Sequence, residues 1–312
     1  MCRCLYCYKP LTEGETDFHA ACARKFFGTK GIPVLPYARD QLDQLALQVI
    51  RASTTLTGVQ PKLSLNLQRH EGSQRLTIVG LWGDFIMKPQ TEQYAELPEI
   101  EDLTMHLAEI ARISVVPHSL MRMADGSLCY LTRRIDRTPQ GEKIAMEDMC
   151  QLTNRLTEYK YHGSYELVAD TIACYSTVPK MDIANLFEVV LFSWLTGNND
   201  MHLKNFSLYA LDDIQIRLTP AYDLVNAAIV NPRDDEELAL TLNGHRKQLT
   251  KDDFSQTLSS MGLLTVTLNR LVAKYRRLQP RFEQTIQASF LSADMKQRYF
   301  SLLSDRLNRL AC

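Results

Sequence analysis

From Met181 to Leu195 apolar residues occupy nearly every face that a helix can present: Ile183, Leu186, Phe187, Val189, Val190, Leu191, Phe192 and Trp194. A helix that is apolar all round must be buried on all sides, so the chain has to build a substantial shell around this segment. Its 312 residues suffice for one large domain or two lobes around such a core. The run stops at Gly197. A polar loop, Asn198-Asn199-Asp200-Met201-His202-Leu203-Lys204-Asn205, follows before the sequence turns apolar again at Phe206. The central helix therefore delivers a polar loop at its C-terminal end.

Within that loop Asp200 and Asn205 stand five positions apart, and Asp223 follows 18 residues later in Pro220-Ala221-Tyr222-Asp223-Leu224. This is the spacing by which a phosphotransferase loop offers a carboxylate to the nucleophilic hydroxyl and an amide oxygen to Mg²⁺. A second carboxylate is needed because the ion must be held from two sides. Taken alone, the same residues also suit a turn or a cap.

Bulk properties narrow the class. Apolar residues make up 45% of the chain and charged residues 23%, with a formal net charge of −1. That is the balance of an ordinary globular protein, and it provides no global basic field to draw nucleic acid. The apolar run is too short and interrupted to cross a bilayer. Cys2, Arg3, Cys4 and the polar residues after them lack the pattern of a signal peptide. Eight cysteines in an unexported chain argue for thiols or metal rather than a disulfide framework. The expected compartment is the cytoplasm, with no membrane partner.

Residues 1–31 read as a Cys-rich N-terminal appendage docked on the main body. Cys4-x2-Cys7, eleven residues, then His19-x2-Cys22 has the ligand types and local spacing of a small zinc knuckle. One reading is a structural Zn²⁺; the other is a set of reduced thiols, with His19 capping the helix that starts near Ala20. Phe26-Phe27-Gly28 closes the segment, and Pro33 and Pro36 mark a linker.

Residues 32–133 read as a β-rich lobe. A helix is expected over Asp40–Ala52, with Asp40 as N-cap. The hydroxyl-rich turn Ser53-Thr54-Thr55-Leu56-Thr57-Gly58-Val59-Gln60-Pro61-Lys62 then leads into an alternating strand, 62–67. Small residues ahead of a strand can lay backbone N–H groups against phosphates, and Lys62 would add a charge. A plain helix-to-strand connection uses the same residue types. Strands are expected at 75–79 and 84–89. Lys88 ends the latter, where a kinase places its phosphate-binding lysine, although a strand-end lysine can also be merely solvated. The next helix, Glu96–Ala111, buries Leu97, Ile100, Leu103, Leu107 and Ile110. It carries Glu99, Glu101, Asp102 and Glu109, any of which could pair with Lys88. Strands at 115–120 and 128–132 flank the turn Ala124-Asp125-Gly126. The run from Tyr130 to Arg133, with Leu131 and Thr132, reads as a hinge whose backbone groups could bond a nucleotide base.

Residues 134–312 read as a helical lobe. Helices are expected at Glu147–Arg155, Ser164–Tyr175 and Met181–Leu195, followed by a hairpin of 206–210 and 214–218 across Asp212-Asp213. A polar loop spans 231–248. Two amphipathic helices close the chain, with stripes Leu268, Leu271, Val272, Tyr275, Leu278 and Met295, Tyr299, Leu302, Leu303, Leu307, Leu310.

A β-rich half with a hydroxyl/Gly loop and a strand lysine, followed by a helical half with D-x4-N and a later Asp, is the order of parts in a two-lobed, protein-kinase-like α+β fold. The departures exclude an ordinary eukaryotic-type kinase: no GxGxxG, no HRD before Asp200, no DFG at Asp223 and no APE. The segments Thr57-Gly58-Val59-Gln60-Pro61-Lys62, Arg134-Ile135-Asp136-Arg137, Met146-Glu147-Asp148, Gly197 to Phe206 and Pro220 to Leu224 together resemble the HipA family of bacterial toxin kinases. The likeness covers about residues 50–310, and the short length resembles the HipT branch.

This resemblance implies a Ser/Thr protein kinase using ATP and Mg²⁺. Asp200 would be the general base, and Asn205 and Asp223 would hold Mg²⁺. Thr57, Gly58, Val59, Gln60, Lys62, Lys88, Leu131, Thr132, His202 and Lys204 would line the ATP site. The family is silenced by phosphorylation of hydroxyls in the loop that covers ATP; here Ser53, Thr55 and Thr57 are the candidates. Nearly two added negative charges could not stay beside the nucleotide phosphates. The resemblance further implies an aminoacyl-tRNA synthetase as target, tryptophanyl- or glutamyl-tRNA synthetase first. It implies a helix-turn-helix antitoxin, hence indirect contact with DNA, and a small separate antitoxin in place of a missing subdomain. A small-molecule kinase of the aminoglycoside type and a catalytically silent pseudokinase are the alternatives.

Overall fold

The computed structural model of the chain describes residues 2–29, 31–42, 62–70, 73–80, 83–138, 140–212 and 214–310, and every structural statement below concerns these residues. The chain divides into two compact units. Unit 1 comprises Met1–Asp102, Val116–Gly141 and Ala288–Phe290; unit 2 comprises Leu103–Val115, Glu142–Gln287 and Leu291–Cys312.

Unit 1 is built on a five-stranded antiparallel sheet of β1 (Leu63–His70), β2 (Ser73–Val79), β3 (Phe85–Pro89), β4 (His118–Arg122) and β5 (Leu128–Arg133), in the order β2-β1-β3-β5-β4. Alternation sets the faces: Leu63 and Leu65 of β1 and Phe85 and Met87 of β3 are buried together. Gly83 precedes β3 where a Cβ would lie 2.8 Å from the Leu65 backbone nitrogen, so only glycine admits that approach.

The Cys-rich start is part of this core rather than an appendage. The helix Ala20–Phe27, closed by Gly28 at φ 69°, buries Ala23, Phe26 and Phe27. The Phe26 and Phe27 rings lie 5.7 and 6.0 Å from that of Phe85. Each fully buried Phe contributes about 1.5–3 kcal/mol of transfer free energy. Unit 1 also runs on to Gly141 instead of stopping at residue 133. The Arg134 N–H donates to the Asp84 carbonyl at 2.9 Å. The Arg134 guanidinium grips Asp136 at 2.8 and 2.6 Å, which fixes the local course of the chain after β5 ends.

The hinge expected at Tyr130–Arg133 is a correction. β5 is an inner strand, with Leu131 opposite Met87 on one side and Ser119 on the other. Its backbone groups are committed to two ladders, so they are not presented to a nucleotide base. Of the helix expected over 40–52, residues 39–42 are helical and the remainder lies outside the described residues.

Unit 2 surrounds the apolar helix anticipated above, which spans Pro179–Thr196 with Pro at its first turn. Helices Tyr165–Tyr175, Lys251–Ser260, Val266–Ala288 and Ala293–Arg309 complete the helical part. Trp194 meets Phe254 at 5.2 Å and Phe192 meets Tyr275 at 6.3 Å between ring centres. A three-stranded sheet, β6 (Met146–Asp148), β7 (Ser207–Ala210) and β8 (Ile216–Leu218), carries the expected hairpin. The helix expected from Glu147 to Arg155 is shortened to Met149–Leu152. Met146–Asp148 instead pairs with β7, and Asp148 with Gln151 forms a capping box that starts the helix later. Asp182, fully buried, accepts from the Leu218 N–H at 2.9 Å and from the Arg217 guanidinium at 3.1 Å, which pins β8 to the central helix.

Candidate active site

The central helix ends because Gly197 adopts φ 78°, a left-handed cap. A Cβ there would collide with the Asn226 carboxamide, so the loop leaves the helix where no side chain fits. Asn198 is fully buried, and its Oδ1 accepts from the Asp200 N–H at 3.3 Å. The Asn199 carboxamide donates to the Asp234 carboxylate at 3.2 Å and to the Glu236 carbonyl at 3.1 Å. The two asparagines thus hold the loop from both sides.

Asn205 returns to the start of the loop. Its Nδ2 donates to the Asp200 carbonyl at 3.0 Å, and its N–H donates to the His202 carbonyl at 2.9 Å. With its amide nitrogen spent, the Asn205 Oδ1 is the group left to a cation. Asp223 adopts φ 55°, uncommon for any residue but glycine and most accessible to Asn and Asp. It is fixed between Ala221, whose N–H donates to Ser114 at 2.8 Å, and the buried Leu224. The candidate donors are therefore all oxygens, which suits a hard cation such as Mg²⁺.

His202 is buried, and its ring meets Tyr161 edge-on at 5.0 Å. Burial pushes the imidazole down to about 4, against the pull of the Asp200 and Asp223 carboxylates. It is neutral at physiological pH. The Tyr161 hydroxyl donates to Asp200 Oδ1 at 2.6 Å. Burial first, and then the Asp200 charge, raise the phenol, so it stays protonated and remains a donor.

In unit 1, Lys88 is buried and its Nζ lies 2.5 Å from Glu101 Oε1 and 5.5 Å from the centre of the Tyr130 ring. Of the four acids open to it on that helix, Glu101 is the partner. Glu99 is half-buried, and desolvation raises its carboxyl to about 7.

Asp200, His202, Asn205 and Asp223 therefore gather in unit 2. Lys204 is turned to Asp148, with Nζ 2.5 Å from Oδ2. Leu131 and Thr132 lie within β5, and Lys62 immediately precedes β1. Ser53, Thr55, Thr57, Gly58, Val59 and Gln60 lie outside the described residues. Sequence reasoning missed Tyr161, which no motif marks. It also missed Asp148 as the lysine's partner, although the motif Met146-Glu147-Asp148 was noticed.

Comparison with known proteins identifies the family and the fold. The profile of the HipA-like C-terminal domain family matches residues 54–289. A putative kinase of Haemophilus influenzae is 24% identical over 92% of this chain and 91% of its own length. The putative kinase Y4dM of Sinorhizobium fredii is 29% identical over 64% of this chain and 52% of its own. The serine/threonine-protein kinase toxin HipA of Shewanella oneidensis is 24% identical over 74% of this chain and 56% of its own. The chain thus spans about half the length of the latter two. Among solved structures, the complex of Shewanella oneidensis HipA, HipB and operator DNA matches 96% of this chain and 80% of the matched chain, with a TM-score of 0.70 at 20% identity. The Helicobacter pylori proinflammatory kinase CtkA matches 79% of this chain and 93% of its own, at a TM-score of 0.53 and 14% identity.

Proposed function

Because the chain belongs to the HipA-like C-terminal domain family, we propose that it is a serine/threonine protein kinase that acts as the toxin of a toxin–antitoxin pair. The observation that carries this reading is the Gly197–Asn205 loop, where the Asn205 side-chain amide donates to the Asp200 backbone carbonyl and so holds the two residues at fixed spacing.

Bound ATP and Mg²⁺ would supply the γ-phosphoryl group and the charge neutralisation that its transfer requires. Asp200 would accept the proton of the target hydroxyl. In the free chain the Tyr161 hydroxyl donates to Asp200 Oδ1 and orients the carboxylate, whose other oxygen would take the substrate hydroxyl. Asn205 and Asp223 would offer the oxygen ligands. Neutral His202, beside both carboxylates, adds no positive charge that would weaken the base. Lys88, oriented by Glu101, would meet the nucleotide phosphates. Lys204 has a positioning role: its ion pair with Asp148 tethers the loop to the cap of the helix Met149–Leu152. Autophosphorylation at Ser53, Thr55 or Thr57 would silence the enzyme.

The proposed target is an aminoacyl-tRNA synthetase, whose modification would stop translation. The proposed partner is a helix-turn-helix antitoxin, a reading supported by the likeness to a chain solved with HipB and operator DNA. The proposed placement is the short HipT-like branch, with a small second antitoxin.

The test is phosphopeptide mass spectrometry of a bacterial lysate incubated with Mg-ATP and either wild-type protein or Asp200→Asn. We expect phosphate on a synthetase with wild type alone, and phosphate on the 53–57 loop of the kinase itself. Equal labelling by both proteins, or labelling of no protein, overturns the proposal.

A further inference from the structure

We propose that Cys4, Cys7, His19 and Cys22 form a closed, structural zinc site that locks the N-terminal knuckle onto the sheet of unit 1. The donor atoms of these four residues all lie within 4.8 Å of one another. More telling are two edges: His19 Nδ1 is 3.5 Å from Cys7 Sγ and 3.7 Å from Cys22 Sγ. Zn–S and Zn–N bonds of about 2.3 and 2.05 Å at a tetrahedral angle separate S from N by about 3.6 Å. The two edges from His19 thus already have the length that the ion would demand, and the remaining donors lie near enough to close around it.

The imidazole is set for the role. His19 Nε2 lies 3.0 Å from the Pro10 carbonyl oxygen, which can only accept. Nε2 therefore carries the hydrogen, and in the neutral ring Nδ1 presents its lone pair to the two sulfurs. A metal-bound histidine is usually oriented by such a bond from its other nitrogen. His19 occupies the N-cap of the helix Ala20–Phe27 yet makes no side-chain cap bond, so its ring is committed to the cluster. The competing reading, a capping histidine among loose thiols, loses its main support.

The loop that carries Cys4 and Cys7 is shaped as a knuckle. The Cys4 N–H donates to Lys9 and the Tyr8 N–H donates to Cys4, both at 2.9 Å, and Tyr8 takes φ 61° to close the turn. A bridge joins Arg3 to Pro10, and the Leu5 N–H donates to Asp17 at 2.7 Å. Cys22 comes from the first turn of the helix, so one ion would tie knuckle to helix. All three cysteines are free thiols, and three thiolates with one imidazole complete a tetrahedron without leaving a position for substrate. The role is therefore structural.

What the ion would hold is the cover of the sheet. Cys4, Leu5, Phe18, Phe26 and Phe27 share one apolar cluster with Phe85 and Met87 of β3, the strand that bears Lys88. The Tyr8 hydroxyl donates to Asp102 Oδ2 at 2.7 Å, one residue from Glu101, and the other Asp102 oxygen meets His118 Nδ1 at 2.8 Å. The knuckle thus reaches the helix segment that orients Lys88.

Elemental analysis of the purified, reduced full-length chain should find one zinc per molecule, none of it removed by dialysis. Replacement with Co²⁺ should give the intense d–d bands and thiolate charge-transfer absorption of a tetrahedral S₃N site. These should be lost in Cys22→Ser and unchanged in Cys174→Ser, an exposed cysteine elsewhere. Stripping the metal with a strong chelator should lower Tm by several degrees. Wild-type protein that takes up no stoichiometric Zn²⁺ or Co²⁺ under reducing conditions, or a cobalt spectrum unchanged in Cys22→Ser, overturns the proposal. These readouts do not depend on catalysis, so they stand or fall apart from the kinase reading.

Discussion

His202 shows how one buried side chain links the loop to the stability of the fold. Its folded value of about 4 lies below the ordinary 6.5, because burial penalises the cation. Between pH 6.5 and 4 the unfolded chain binds a proton that the folded chain refuses. Stability is therefore fully present above pH 6.5 and lost as pH falls toward 4, on the order of 3 kcal/mol in total. Glu99 acts in the opposite sense. Its carboxyl is raised to about 7, so its contribution is present below pH 4.5 and lost as pH rises through 7. Comparing denaturant unfolding of wild type and His202→Gln from pH 7.5 to 4 separates them. The wild type should lose stability on acidification relative to the variant, and parallel curves would refute the assignment. At this scale Asp200, Asn205 and Asp223 were legible because their spacing along the chain marks them. Tyr161 was not, because a lone tyrosine 39 positions from Asp200 carries no local signal.

Among the elements, the central helix and its exit are the most constrained. Gly197 combines a left-handed φ with a space that the Asn226 carboxamide already fills. Gly197→Ala should therefore cost more than the roughly 1 kcal/mol expected of a solvent-exposed left-handed cap. It should also displace the Asp200 loop. The expected result is a Tm lower by several degrees together with reduced phosphoryl transfer; an unchanged Tm would refute the steric argument. Long, strongly patterned elements were readable: β1, β3, the helix Leu97–Ile110 and the central helix all appear within a few residues of their expected bounds. Short ones were not. Met146–Asp148 is a strand only because β7 lies beside it, and β5 is an inner strand rather than a hinge because β4 pairs on its outer side. The helix Lys251–Ser260 was overlooked, although the capping box of Thr250 and Asp253 announced it.

On the scale of the whole molecule, the proposed chemistry divides its tasks between the units. In that proposal Lys88 of unit 1 would serve nucleotide binding, whereas Asp200 of unit 2 would serve proton transfer. Lys88→Met should weaken Mg-ATP affinity tenfold or more. Asp200→Asn should leave that affinity within about threefold while abolishing transfer, as isothermal titration and single-turnover labelling can check. Losing one member of a buried ion pair also costs about 3–5 kcal/mol, so the Lys88 variant is measured where circular dichroism shows it folded. No described helix is long and apolar enough to cross a membrane. By itself the sequence determined the α+β class, the buried central helix, the polar loop at its end and the order of the motifs. Each of these is written in residues close together in the chain, where helical or strand periodicity and turn chemistry act. Only the tertiary structure decided that Glu101 is the partner of Lys88, that Tyr161 caps Asp200, that Asp148 holds Lys204, and that the cysteine-rich start belongs to the core. Those pairings join segments 13 to 56 residues apart or more, and their distances are set by how whole elements pack, a quantity that no local spacing encodes.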